Sequence, residues 1–309
     1  MGDREYPNNW GPLMQEFQRR VAIGRAMGGA TKLDKRAQTG RPNARALIEL
    51  LVDQDSFMEL GTLVAGMSYH GEAIVPADGL VAGMAAIDGR PVLIGVEDFT
   101  VQGGSIGHGT NAKRVRMARL AAIEQVPYIL VLDGAGARVS NSLDRYPYSP
   151  NDMIELARLS GQVPIVALVL GSSAGHGAIT GLLADYVIAL EDATMFAAGP
   201  PLVAAATGEI VTKEQLGSAR MHASRSGVIH NVVADANAGC DAIRDYLSYF
   251  PDSSCQHPPR SPNNDDKLRY LEEIFSILPA NAQTHYDSNT LIVHLVDQGV
   301  FHEFHPWYG

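Results

Sequence analysis

The sequence predicts an α/β fold in which buried strands alternate with helices, and three observations carry that prediction. Hydrophobic residues make up 46% of the 309 and charged residues 19%, enough apolar surface for a sizeable core and too little charge for disorder. Three times, an apolar run ends in a turn of small residues and a helical pattern begins, which is the order of a strand feeding a helix. Finally, Asp88-Gly89 divides two β-rich runs within 79–98, a hairpin signal because both residues tolerate positive φ.

Taken in order, residues 13–27 and 43–52 have apolar spacing near i, i+3, i+4 and read as helices, separated by a Gly- and Lys-rich connection. After the hairpin, the glycine-rich turn 103–109 leads into a helix over 111–124. A strand at 128–132 runs into the turn 133–138. Ser149 and Pro150 then open a helix, Ser as cap and Pro at the first position, and Gly161 closes it. A strand at 164–170 enters the turn 171–177, followed by a helix to Ala184 and strands at 186–190 and 195–198. Residues 251–267 hold four prolines and no hydrophobic period, the composition of a linker. Helices are expected near 268–278 and 289–297. The resulting division is a domain over 1–250, a linker over 251–267 and a helical extension over 268–309.

Composition excludes several classes. No run reaches the roughly 18 apolar residues that span a bilayer, and the start MGDREYPNNW is too polar for a secretory signal, so no membrane association and a cytoplasmic location are expected. Cys240 and Cys255 stand apart, without metal-ligand spacing. His302 and His305 form an isolated pair with no third ligand nearby, so no metal is expected. The net formal charge of −10 argues against nucleic acid as partner. Residues 1–50 nevertheless carry nine basic against five acidic groups, which suits a phosphate-bearing ligand, an acidic partner or a solvated face equally.

Chemistry concentrates at 171–177, Gly-Ser-Ser-Ala-Gly-His-Gly. One reading is a nucleophile elbow with Ser173 as nucleophile, which requires His222, His230 or His257 and a carboxylate as partners. A second takes the adjacent backbone N–H groups of Gly175 and His176, at a helix start, as donors to an oxyanion such as a thioester enolate. Small residues at Ala174, Gly175 and Gly177 would let a ligand approach the main chain. A third is purely structural, glycines packing a helix onto a sheet. Asp144, Arg145, Tyr146 and Tyr148 follow a glycine turn, where substrate contacts often sit, though ordinary loop polarity explains them equally.

The wider pattern resembles a known family. Residues 164–200, with Asp185 and Phe196, resemble the crotonase-superfamily signature of strand, glycine turn, helix, Asp and strand. GTLVAGM, EDFTVQGGSIGHGTNAKR, VLDGAGARVS, GPPLVAAATGEIVTKEQLGSARMHASRSGVIHNVVAD and IRDYLSYFP together resemble the carboxyltransferase β subunits of biotin-dependent acyl-CoA carboxylases of the methylcrotonyl-, geranyl- and propionyl-CoA type. Gly199-Pro200-Pro201-Leu202-Val203 with Ala206-Thr207-Gly208-Glu209 looks most like the methylcrotonyl- and geranyl-CoA branch.

The resemblance implies a crotonase-like spiral of repeated β-β-α units. It also implies transfer of CO2 from carboxybiotin to the α-carbon of an acyl-CoA, with the thioester enolate held by paired backbone N–H groups. Gly175 and His176 match the family's Gly-Gly pair, and His176 departs from it. Gly103, Gly104, Ser105, Gly134, Ala135, Gly136 and Ala174 match the positions beside the thioester and pantetheine. Ala135 stands where the family usually has glycine. The implied cofactor is biotin on a carrier protein, and the implied partners are a biotin carboxylase or carrier subunit within a homo- or hetero-oligomer. Family subunits carry two halves, and this sequence ends at Gly309, where the resemblance places the second: either a separate chain supplies it, which is the expectation, or the sequence is a fragment, or the first half has been kept for another purpose. Two rivals stay open, a stand-alone CoA-thioester hydrolase or decarboxylase and a non-catalytic CoA-binding subunit.

Overall fold

The computed structural model of the chain describes residues 9–67, 74–139, 151–266 and 268–308. It forms two compact units, one of Met1–His257 with His305–Gly309 and one of Pro258–Phe304.

In the first unit, helices α1 (Gly11–Arg25), α2 (Ala30–Gln38) and α3 (Ala44–Leu51) precede the short strands β1 (Met58–Glu59), β2 (Gly66–Met67) and β3 (Ile74–Val75). Strands β4 (Leu80–Ile87) and β5 (Arg90–Glu97), helix α4 (His108–Glu124), strand β6 (Tyr128–Gly134), helix α5 (Asp152–Leu159), strand β7 (Ile165–Ala174) and helix α6 (His176–Gly181) follow. Strands β8 (Tyr186–Leu190) and β9 (Thr194–Phe196) lead to helices α7 (Pro200–Thr207), α8 (Lys213–Gly217) and α9 (Ala219–Met221), strand β10 (Asn231–Val233) and helix α10 (Ala236–Ser248). The second unit holds α11 (Ile274–Ile277) and α12 (Ser288–Leu295).

The main sheet runs β1-β4-β5-β6-β7-β8-β10. It is antiparallel through β5 and parallel from β5 onward. Residues of β6 and β8 are all buried, as a parallel sheet covered on both faces requires. The hairpin expected at Asp88-Gly89 is present, with Ile87 opposite Arg90 and φ of 50° and 76° at the two turn residues, the paired positive values of a two-residue hairpin turn. Strand β7 does two jobs: Val166 to Val169 pair with β8, whereas Ser172 to Ala174 pair with β9. Strand β9 thereby joins the same sheet beside the end of β7, off the β1-to-β10 path.

Several boundaries differ from the pattern-based expectation. The Gly- and Lys-rich connection is itself helix α2. Gly29, at φ 81°, separates it from α1, and the Ala, Lys, Leu, Arg and Gln that follow are strong helix formers. Helix α3 is capped by Asn43, which accepts from the Ala46 N–H at 3.0 Å, and buries Ala44, Leu47, Ile48 and Leu51 at helical spacing. Asn151 caps α5; the expected cap Ser149 lies outside the described residues, as do Pro150, Asp144, Arg145, Tyr146 and Tyr148. Only Ile274–Ile277 is helical within 268–278. No helix or strand occupies 251–266, yet the start of that stretch is fastened down: Arg90 reaches Asp252 at 2.9 Å and the Ser254 N–H reaches the Gln162 carbonyl at 2.8 Å. No helix among the described residues is long and apolar enough to cross a membrane.

His230 locks β10 to β8: its N–H donates to the Val187 carbonyl at 2.9 Å and its Nδ1 accepts from the Val187 N–H at 3.0 Å. Burial, helped by the neighbouring His305, lowers His230 from 6.5 to about 4. Between those values the unfolded chain holds the proton and the folded one does not, so this contribution is complete above pH 6.5 and is lost as pH falls toward 4. In His230→Asn, whose amide oxygen can still accept from Val187, urea midpoints are expected to fall less steeply between pH 6.5 and 4.5 than in wild type.

Candidate active site at the glycine turns

The small-residue turns, far apart in sequence, meet in space. Gly134 at the end of β6 packs directly on Gly104, and a Cβ on either would overlap the other's backbone or that of Asp133. The Ala135 N–H donates to the Gly103 carbonyl at 3.0 Å, the Ile106 N–H to the Gly136 carbonyl at 2.8 Å, and the Arg138 N–H to the Ile106 carbonyl at 2.9 Å. Gly136, at φ 81°, lies against β7, where a Cβ would sit 2.5 Å from the Ala174 carbonyl oxygen and 3.5 Å from Gly175 Cα. The main chains of 103–106, 134–138 and 174–176 therefore form one surface. Between and beside the buried glycines, Ala135, Ala137 and Ala197 are exposed and Ala174 and His176 half-buried, so only short side chains or none stand between a ligand and most of this backbone.

Charged groups buried beneath fix the surface. Asp78, fully buried, pairs with Arg138 and accepts from the Thr110 N–H at 2.7 Å. Arg138 in turn donates to the Ser105 hydroxyl at 3.1 Å and its carbonyl at 2.8 Å. Asp133 pairs with Arg36 at 2.6 Å, and its N–H donates to Glu97 at 2.6 Å. Glu97 pairs with Arg114, which also reaches Asp152 at 3.3 Å. Asp152 Oδ1 lies 2.6 Å from His176 Nε2. Burial pushes the Glu97 carboxyl up against the pull of Arg114. Burial also pushes Asp152 up, but the His176 hydrogen bond and the Arg114 charge outweigh it and hold the carboxyl below its usual range. A chain of buried polar groups thus runs from the end of β6 to the start of α6.

The sequence-predicted residues divide by role. Strand β7 continues through Gly171 to Ala174, so the turn before α6 is Gly175 alone, at φ 54°, ψ −120°, backbone that glycine adopts and other residues resist. Its N–H donates to the Phe196 carbonyl at 2.9 Å, which corrects the expected Gly175–His176 donor pair. The first helical N–H groups, those of His176 and Gly177, are the ones a helix leaves without an internal acceptor. Ser105, Gly104, Gly134 and Gly136 are buried in holding the turns together, while Gly103 has open space where a Cβ would be. Ser173 is fully buried, with no partner for its Oγ among the described residues, so it cannot meet a substrate as a nucleophile. Ser173→Ala is expected to preserve activity and to leave stability unchanged or raised by about 1 kcal/mol; abolished turnover in that variant would restore the elbow reading.

Of the nine cations in 1–50, Arg36, Arg41 and Arg45 are committed to Asp133, Asp192 and Glu59. Arg19 and Arg20 share Glu16, and Arg4 lies outside the described residues. Arg25, Lys32 and Lys35 are exposed and make no ion pair among the described residues. Sequence reasoning missed Glu97, Arg114, Asp152 and Asp78. A trace of Arg114 was there: it sits beside Lys113 at buried positions of α4, where apolar residues would be expected. Among the described residues no three His, Cys, Asp or Glu side chains gather as metal ligands would.

Comparisons with known proteins agree with this architecture. A family model described as the carboxyl transferase domain matches residues 35–309. The chain is 32% identical over 294 residues to the methylmalonyl-CoA decarboxylase subunit alpha of Veillonella parvula, covering 94% of this chain and 58% of that protein. It is 33% identical over 306 residues to the methylmalonyl-CoA carboxyltransferase 12S subunit of Propionibacterium freudenreichii subsp. shermanii, covering 97% and 57%. The crystal structure of transcarboxylase 12S with methylmalonyl-coenzyme A and methylmalonic acid bound superposes with a TM-score of 0.88 at 32% identity, covering 99% of this chain and 60% of that one. The chain therefore spans somewhat more than half the length of the relatives it matches. The β subunit of geranyl-CoA carboxylase from P. aeruginosa superposes too, with a TM-score of 0.63 at 27% identity, covering 94% of this chain and 52% of that one. With a mixed sheet, parallel from β5 onward, in a crotonase-like α/β fold and a family match across most of its length, this chain belongs to the carboxyl transferase domain family.

Proposed function

We propose that the chain is the acyl-CoA-binding half of a biotin-dependent carboxyltransferase that moves a carboxyl group between biotin and the α-carbon of an acyl-CoA. The observation that carries this reading is the meeting of the glycine turns on one surface, rimmed by Ala135, Ala137, Ala174 and Ala197 and ending at the start of α6. A thioester laid on that surface would direct its oxygen to the His176 N–H, joined by that of Gly177, and a negative charge developing there would meet preorganised donors. Loss of one such donor typically costs about 10²–10³ in rate. Arg25, Lys32 and Lys35 are the cations left to meet the CoA phosphates. Biotin, carried on a partner protein, supplies the carboxyl carrier. No residue of this chain is assigned to it, because the resemblance puts its seat against a second half. The partners of this reading are a biotin carboxylase or carrier subunit in a homo- or hetero-oligomer in the cytoplasm. The relatives' names favour a methylmalonyl- or propionyl-CoA-type substrate.

The test is to incubate the assembly in which this chain purifies with methylmalonyl-CoA labelled in its free carboxyl, plus biotin. Label carried by biotin is the expected result. Consumption of the thioester with label released only as CO2 or free acid would favour the stand-alone hydrolase or decarboxylase, and binding without turnover would favour the silent CoA-binding subunit.

A further inference from the structure

The side chain of His176 has no counterpart in the Gly-Gly pattern it interrupts, and the structure gives it a defined partner. Its Nε2 lies 2.6 Å from Oδ1 of Asp152, whose carboxyl is fully buried while a fifth of the imidazole remains exposed. Asp152 is held in turn by Arg114, which is anchored by Glu97. An ionised Asp152 accepts, so the ring proton resides on Nε2 and the lone pair on Nδ1. That is the arrangement by which a carboxylate orients a histidine as a general base. The same residue supplies the N–H assigned to the thioester oxygen, so that donor and the partly exposed imidazole belong to one position at the start of α6.

We propose that His176, oriented by Asp152, is a proton-transfer group for the α-carbon of the acyl-CoA, giving this chain an enolisation step that needs no biotin. The inference rests on the thioester reading of the site. Nδ1 takes the α-proton, the C–H electron pair becomes the enolate with its charge on the thioester oxygen at the His176 N–H, and the imidazolium faces the Asp152 carboxylate. In reverse, the imidazolium returns a proton to the α-carbon, which is what an enolate formed by loss of a carboxyl group requires.

The experiment is deuterium uptake at the α-carbon of propionyl-CoA in D2O without biotin, read by mass spectrometry, alongside the Kd for propionyl-CoA by calorimetry. Wild type is expected to exchange. His176→Gln keeps the backbone N–H and a polar group for Asp152, and is expected to exchange about 100-fold more slowly at unchanged Kd. Asp152→Asn offers Nε2 an N–H, moves the ring proton to Nδ1, and is expected to slow exchange likewise with Kd retained. Wild type that binds propionyl-CoA without exchange, or a His176→Gln variant that exchanges at the wild-type rate, overturns the proposal and leaves the thioester site standing. A His176→Gln variant that no longer binds overturns it too, assigning the imidazole to binding. Wild type that does not bind propionyl-CoA refutes the thioester reading itself, and this inference with it.

Discussion

Arg114→Met will destabilise the first unit by about 3–5 kcal/mol, the cost expected when one partner of a buried ion pair is removed. Arg114 is 1% exposed and holds two carboxylates, Glu97 and Asp152, exposed 3% and 0%. Methionine fills most of the same volume, so the loss measures charge rather than packing. Glu97, already pushed up by burial, then protonates, and its bond to the Asp133 N–H weakens. Urea unfolding of both proteins checks the size of the effect. Adding Glu97→Gln and Asp152→Asn to the variant removes the uncompensated charges and is expected to recover much of the loss. A single variant within 1 kcal/mol of wild type contradicts the view that this network holds the turns in place.

Gly136→Ala should lower carboxyl transfer by at least about 100-fold, a loss on the scale of misplacing a reacting group by an ångström. Two independent features set this expectation. The position is at φ 81°, where an L-residue costs about 1–2 kcal/mol, and the new Cβ lies 2.5 Å from the Ala174 carbonyl oxygen, a backbone atom that cannot swing aside. The 134–138 turn must lift off the end of β7, separating the surface proposed to hold the thioester. Gly103 is the control: its φ is also positive, at 62°, but a Cβ there has nothing within 4 Å. Gly103→Ala is therefore expected to lose only about 1–2 kcal/mol of backbone strain, and Gly136→Ala more. Equal stability losses in the two variants would mean that backbone strain, not contact between turns, is what Gly136 relieves.

Much of the fold was legible because period and turn chemistry are local. Asp88-Gly89 announced its hairpin, the apolar runs announced β6, β7 and β8, and Asn43 followed by apolar residues at helical spacing announced α3. The continuation of β7 through Gly171-Ser172-Ser173-Ala174 was not legible, because its cause is the partner strand β9, which pairs with those residues only after the chain has turned back. The candidate site was half legible. Its glycines mark where backbone approaches backbone, but sequence alone does not say whether the neighbour is a ligand or another turn. Gly104, Gly134 and Gly136 face other turns; Gly103 faces open space. For the same reason the Gly175 N–H looked free until Phe196 was seen to accept from it. Asp152 and His176 are 24 residues apart, with Arg114 38 residues before Asp152, and no spacing rule connects side chains that meet only through tertiary packing.

The most direct test of the central claim is a crystal structure of the chain, in the assembly in which it purifies, with propionyl-CoA bound. The thioester oxygen is expected about 3 Å from the His176 N–H, over the surface formed by 103–106, 134–138 and 174–176. A thioester bound elsewhere, with the start of α6 facing only protein or water, would contradict the account.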